Sequence, residues 1–294
     1  MVTRLGKIRF GLFAGVLFLC ACFFFLLPVS VFGATQLPRS QLIQGGIYYG
    51  QVTPGSKVIY HNKNVRVSGK GYFVLGFGRD VGLVQTYTIV KSSGEKQTVT
   101  LRLLPQKYQI QYVKGVAKKY VSPPESIWQR IQRENRQVSI ARMHDTSFDS
   151  VFNGFGWPVA GPVTGVYGSQ RYFNGEPRRP HYGLDIAAKT GTDVHATADG
   201  IVRLSNSALY FSGGTIIIDH GYGLSSSYLH LSKVFVKKGQ KLKQGDVIGQ
   251  VGATGRVTGA HLDWRFNWFD QRLDPVALMG KEGRKAINKR LVVR

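Results

Sequence analysis

The chain is short of two things: cysteine and acid. It has only two cysteines in 294 residues, Cys20 and Cys22, and both lie within the first 33 residues. The remainder has none, so no disulfide can staple it, and its stability must come from packing or a metal. Acid is scarce as well: 16 Asp and Glu stand against 39 Lys and Arg, for a net charge of +23. That imbalance implies an anionic partner or surface without saying which. Apolar residues are not scarce. At 43% of the chain they exclude global disorder. Thirty-six glycines suggest many turns and a β-rich fold.

The first 33 residues are the order of a secretory signal. Arg4, Lys7 and Arg9 open the chain, no charge occurs from Phe10 to Leu27, and Pro28 then leads to small residues ending at Gly33. Cleavage is expected after Gly33. An uncleaved membrane anchor is the alternative, because the apolar run is close to the ~20 residues that span a bilayer. A lipoprotein site at Leu19-Cys20-Ala21-Cys22 is disfavoured by the apolar stretch that continues past Cys22. The segment implies export to the periplasm or cell envelope, with an inner-membrane anchor if it is retained. Its removal takes three positive charges and leaves +20, so export does not account for the basicity.

Residues 38–116 read as a small N-terminal β-sandwich. Short strand patterns recur, separated by turn sequences such as Thr53-Pro54-Gly55-Ser56 and Ser92-Ser93-Gly94. Lys57–Tyr60 and Val65–Val67 flank Asn62-Lys63-Asn64 as a hairpin, and Tyr108–Val113 continues the pattern. No His or carboxylate cluster lies there. Residues 117–150 form a helical linker, its helix expected over 122–143. Pro123 and Pro124 precede Glu125, and Ile127, Ile131, Val138 and Ala141 make one stripe. Arg130, Arg133, Arg136 and Arg142 read as a solvated face. Residues 151–280 are rich in glycine and strands, and 281–294 form a basic tail. The fold class is therefore mainly all-β.

The chemistry is concentrated in 151–280. His181 and Asp185 are four residues apart in extended sequence, and both are metal-ligand types. From His261 to Trp268 polarity alternates. His261, Asp263, Arg265 and Asn267 share one face, and Leu262, Trp264, Phe266 and Trp268 the other, the pattern of a strand with one buried face. Neighbours on the polar face are about 6.8 Å apart, so one can hold a metal while the next acts on water. His230 alternates with apolar neighbours.

These segments resemble the lysostaphin/LytM-type zinc endopeptidases that cut peptide cross-links of bacterial peptidoglycan. The resemblance runs from about Gly156 to Gly280. It rests on Gly183-Leu184-Asp185-Ile186, Gly191-Thr192-Asp193-Val194, Ala198-Asp199-Gly200-Ile201-Val202, Tyr228-Leu229-His230-Leu231-Ser232, Lys238-Gly239-Gln240, Gln244–Gly249 and Gly252-Ala253-Thr254-Gly255. Residues 41–143 resemble, more weakly, the β-rich domain that precedes the catalytic domain in some exported members.

The resemblance implies one Zn2+ ion, with His181 and Asp185 as its first two ligands. It implies that His230 positions water or stabilises the transition state, and that His261 is the general base. The third ligand position, a histidine in the family, is Asp263 here. A His181/Asp185/Asp263 site is chemically possible, but two carboxylates cancel the ion's charge and should activate water and carbonyl less. Asp263 thus leaves two readings open. One is a working peptidase on peptidoglycan, cutting a D,D-bond if the wall is of the usual Gram-negative kind. The other is a degenerate domain that binds peptidoglycan or activates another wall hydrolase. Arg265 and Asn267 are expected to contact substrate or orient Asp263.

His195 and His220 read as non-ligands, and His61 and His144 as surface residues. A swivelling carrier barrel, suggested by Val236–Gly252, lacks an evident modifiable lysine. Nucleic acid is not expected, since no nucleic-acid motif accompanies the charge. An anionic envelope surface fits the basicity better, and a membrane enters only if the N-terminal segment is retained.

Overall fold

The strand His261–Trp268 is the spine of the C-terminal region. Its large apolar side chains need a core on one side, and Trp264 and Phe266 are fully buried there. The strand lies in an eight-stranded sheet. Along that sheet the order is Lys241–Leu242, Gly200–Leu209, Gly213–Gly221, Leu224–Leu231, His261–Trp268, Leu184–Ala187 and Val163–Gly165, and Gln271–Leu273 turns back to pair with the spine. Every pairing in this sheet is antiparallel. The computed structural model describes residues 37–113, 123–173 and 175–280. The expected signal or anchor (1–33) and the basic tail (281–294) lie outside the described residues.

The N-terminal β region consists of two small sheets. Ile47–Gln51 pairs with Tyr72–Gly76, and a four-stranded sheet runs Lys63–Val65, Lys57–Tyr60, Val84–Val90, Lys96–Arg102. Their inward residues, among them Val58, Phe73, Leu75, Tyr87 and Leu101, are buried. The hairpin turns earlier than expected. His61 and Asn62 both have positive φ, and Lys63 already belongs to the return strand. Two left-handed residues in a two-residue loop match the twist of the strands they join.

One expected sandwich strand leaves that region. Ile110–Val113 pairs in parallel with Gln170–Phe173 of the C-terminal region. Pro105 lacks a backbone N–H and cannot continue the Lys96–Arg102 ladder, which frees the chain to cross over. The packing is also continuous across the two regions. A single buried core includes Tyr60 and Phe73 together with Trp264 and Trp268. Trp268 presses so closely on Gly76 that a Cβ there would lie 2.4 Å from the Trp268 Cβ.

The connecting helix runs Glu125–Arg142, within the expected span. Ile131 and Ala141 are buried as the stripe requires. Arg142 departs from its expected solvated position and is 92% buried, being 8% exposed. The helical repeat explains this. Arg142 is four residues after Val138 and so shares its inward face. Arg142 Nη2 donates to Ser227 Oγ at 3.5 Å, which brings the end of the helix over the central sheet. The polar face of His261–Trp268 is only partly solvated: Asp263 and Asn267 are buried as deeply as their apolar neighbours, and His261 and Arg265 are partly exposed.

Candidate metal centre

Strand pairing brings the site together. Asp185 and Asp263 are directly opposed in register on neighbouring strands, with Ala187 opposite His261. His181 precedes the Leu184–Ala187 strand in a loop pinned by its backbone, its N–H donating to Ser169 O and its carbonyl accepting from Gly168 N–H. Ligand atoms of His181, Asp185 and Asp263 all lie within 4.8 Å of one another, and all three residues are buried.

His230 arrives by a different device. The ladder between Gly213–Gly221 and Leu224–Leu231 slips between Gly214 and Ile216, so that Leu229 and His230 form a bulge opposite Thr215. His230 has φ +66, a left-handed conformation rare for a residue with a Cβ. The bulge turns its ring toward the site, 5.0 Å from the His261 ring between centroids. Its Nε2 is 4.0 Å from Asp263 Oδ2, and His261 Nε2 is 3.8 Å from Asp185 Oδ1.

Tautomers follow from the backbone. His230 Nδ1 lies 2.8 Å from Thr254 O and His261 Nδ1 lies 2.9 Å from Gly259 O. A carbonyl only accepts, so each Nδ1 carries a proton, and each ring in its neutral form presents a bare Nε2 to the site. Burial pushes the His230 pKa down to about 4, against the opposing pull of Asp263. Burial likewise lowers His181. Both rings are neutral near pH 7.

The carboxylates are held as anions. Burial would raise the Asp185 carboxyl, but His181, Arg171 and His261 outweigh it and hold it well below the usual range. Burial acts on Asp263 in the same way and is overcome by Arg265. The partners are close. Arg171 Nη2 is 2.5 Å from Asp185 Oδ2, and Arg265 forks onto Asp263 with Nε–Oδ1 at 2.9 Å and Nη2–Oδ2 at 2.5 Å. Two glycines make room for these pairs. A Cβ on Gly165 would stand 2.3 Å from Asp185 Oδ2, and one on Gly183 2.2 Å from Asp263 Oδ1.

The residues fit a metal ion. His181 Nδ1 is buried without a hydrogen-bond partner, and His181 Nε2 and Asp185 Oδ1, though adjacent, are not aligned as an ordinary hydrogen bond. His181 Nε2 and Asp185 Oδ1 are 3.0 Å apart, close to the roughly 3.3 Å that separates two ligands on a tetrahedral zinc with bonds of about 2.0 Å. Asp263 retains lone pairs beyond the two that Arg265 occupies, since a carboxylate offers about four. An arginine behind a ligating carboxylate orients it. Neutral His and ionised Asp are also the forms that ligate.

A model of peptidase family M23 matches residues 179–275. That span holds His181, Asp185, His230, His261 and Asp263. The chain carries an M23 peptidase domain. Two Vibrio cholerae proteins are similar within this region. Peptidoglycan DD-endopeptidase ShyA is 44% identical over 100 residues, covering 31% of this chain and 23% of its own. Peptidoglycan DD-endopeptidase ShyC is 43% identical over 88 residues, covering 30% and 20%. The chain thus spans about a quarter or less of the length of these curated relatives. A crystal structure of a Pseudomonas aeruginosa protein assigned to peptidase M23 is similar over far more. It covers 82% of this chain and 96% of its own, with a TM-score of 0.65 and 28% identity. The likeness therefore includes much of the N-terminal β region as well as the M23 domain.

The structure brings His181, Asp185, His230, His261 and Asp263 together. Arg265 turns onto Asp263. Asn267 is fully buried; its Oδ1 accepts from Arg272 Nη1 at 3.2 Å and its Nδ2 donates to Gln271 O at 3.3 Å. His220 is a satisfied core residue, bonded to Asp199 O and Ser226 Oγ. His195 pairs with Gly245 O and His61 with Gln85, away from the site. Sequence reasoning missed Arg171, Gly165 and Arg142. Only Arg142 had a legible signal, its i+4 spacing from Val138.

Proposed function

We propose that the protein is a metal-dependent peptidase acting on the cross-link peptides of peptidoglycan in the cell envelope. The observation that carries this reading is the buried cluster of His181, Asp185 and Asp263, whose ligand atoms all lie within 4.8 Å of one another. His181, Asp185 and Asp263 would hold one zinc ion. When bound, such an ion polarises the scissile carbonyl and lowers the pKa of water.

The remaining steps belong to the chain. His261, fixed through Nδ1, takes a proton at Nε2 from the attacking water and returns it to the leaving amine. His230 is also an acceptor at Nε2, so of its two expected roles positioning water suits it better than donating to an oxyanion. Arg171 and Arg265 neutralise the two carboxylates, which offsets the charge loss that Asp263 would otherwise bring. The D,D-bond is the preferred target, in line with the names of the relatives. Digestion of purified peptidoglycan with added zinc, followed by mass analysis, should release peptide-cleaved fragments, and His261→Ala should abolish them. No fragments from the unaltered protein would overturn the reading.

The same ion pairs favour one alternative. Each carboxylate already has a guanidinium partner, so the site is charge-balanced without an ion. A domain that binds peptidoglycan or activates another hydrolase would then sediment with the polymer but neither retain zinc nor cut.

A further inference from the structure

Beside the metal centre lies a cavity of about 450 Å³ into which six arginines converge: Arg142, Arg171, Arg179, Arg256, Arg265 and Arg272. Two aspartates, Asp263 and Asp270, also line it. The charge is therefore strongly one-sided. Arg265 is committed to Asp263 and Arg171 to Asp185. Among the described residues, Arg142, Arg179 and Arg272 form no ion pair with a carboxylate.

Arg142 is the most telling of these. It is buried, its Nε has no hydrogen-bond partner, and among the described residues its guanidinium donates only to the neutral Ser227. The Arg272 guanidinium donates to the neutral Asn267 Oδ1 and lies 5.9 Å from the centre of the Tyr182 ring. Strand register explains the convergence. Ser227 is opposite Arg265, and Asn267 is opposite Arg272, so the last turn of the helix meets three neighbouring strands at one point. Burial, then the charges of Arg272 and Arg265, push the Arg142 guanidinium down from its ordinary value. Burial and Arg265 push Arg272 to about 10. A buried cation without an anion is costly, and a fold that gathers several is completed by a ligand that brings the missing charge.

We propose that this cavity is a carboxylate-binding subsite, with Arg142 and Arg272 as its anchors, that seats an anionic group of the substrate peptide next to the metal centre. The proposal rests on the peptidase reading for its choice of ligand. Planar guanidinium groups match a carboxylate or phosphate through paired hydrogen bonds. A peptide carboxylate is the better fit here because His230 and Asp263 form part of the same wall, so whatever the arginines hold lies beside the reacting groups. An uncharged peptide would leave the guanidinium groups unsatisfied.

The test is binding without turnover. The full chain is titrated calorimetrically with a stem tetrapeptide bearing free carboxylates, with the same peptide fully amidated, and with inorganic phosphate. 1,10-Phenanthroline, a neutral chelator, is present to prevent hydrolysis. The free-acid peptide is expected to bind at least 10-fold more tightly than the amidated one, with an affinity that falls as salt rises. Arg142→Gln should remove most of that difference, while Arg142→Lys keeps part of it. In the absence of ligand Arg142→Gln should melt no lower than the parent, because it removes an unpaired buried charge. Equal binding of the two peptides, or full discrimination in Arg142→Gln, would overturn the proposal. So would tighter binding of phosphate than of the acid peptide. Failure of the peptidase reading shows instead as absent cleavage with this binding intact.

Discussion

Asp185 and Asp263 face each other across two paired strands, and each is clasped by its own arginine. Like charges directly opposed in a sheet repel. Here Arg171 and Arg265 balance them, and Asp185 Oδ1 and His181 Nε2 remain side by side to face an ion.

This arrangement predicts an unusual response to Arg265→Leu. Without metal, the buried Asp263 loses its partner, and breaking such a pair costs about 3–5 kcal/mol. The site also becomes more negative and should hold zinc more tightly. Melting curves with chelator and with zinc should therefore separate further in the variant than in the parent. A variant as stable as the parent in chelator would contradict the role assigned to Arg265.

Gly183→Ala should damage the centre without altering any charged group. Its Cβ would meet Asp263 Oδ1 at 2.2 Å and Arg265 Cγ at 2.7 Å. Overpacking of this kind costs about 1–3 kcal/mol. Zinc content and melting temperature should fall together. Unchanged zinc content would show that the Asp263–Arg265 pair can shift at little cost.

The pH dependence of stability can be read at His220, which is fully buried and distant from the candidate ligands. Burial lowers its pKa from 6.5. Below pH 6.5 the unfolded chain then binds more protons than the folded one, so stability falls as pH falls through that value. His220→Gln should flatten the decline in melting temperature between pH 7 and 5. An equally steep decline in the variant would assign the effect to other groups.

Trp268→Ala tests whether the two β regions share one core. Trp268 is 7% exposed and stacks near Tyr60 at 5.9 Å between centroids. The loss should cost about 3–5 kcal/mol. Calorimetry should give one transition for the parent, moved as a whole in the variant. Two separate transitions in the parent would contradict the shared core.

Much of the site was legible because chemistry and period coincide along the chain. Alternation from His261 to Trp268 marked the strand that carries Asp263, and the family resemblance singled out His181 and Asp185 as candidate ligands. The helix was legible from its stripe and its prolines. Arg142 was misread because charge was weighed above helical spacing. The shift of the hairpin to His61-Asn62 depended on backbone conformation, and the departure of Ile110–Val113 on a partner strand 60 residues away.

The sequence by itself determined which residue types were available: two aspartates, three histidines and an excess of arginine around one β domain. Those are properties of local order and composition. Only the tertiary structure decided that Arg171 and Arg265 clasp the two aspartates, and that a helix end closes an arginine cavity beside them. Such pairings depend on strand register and on long-range packing, where a shift of one residue would turn each side chain to the opposite face.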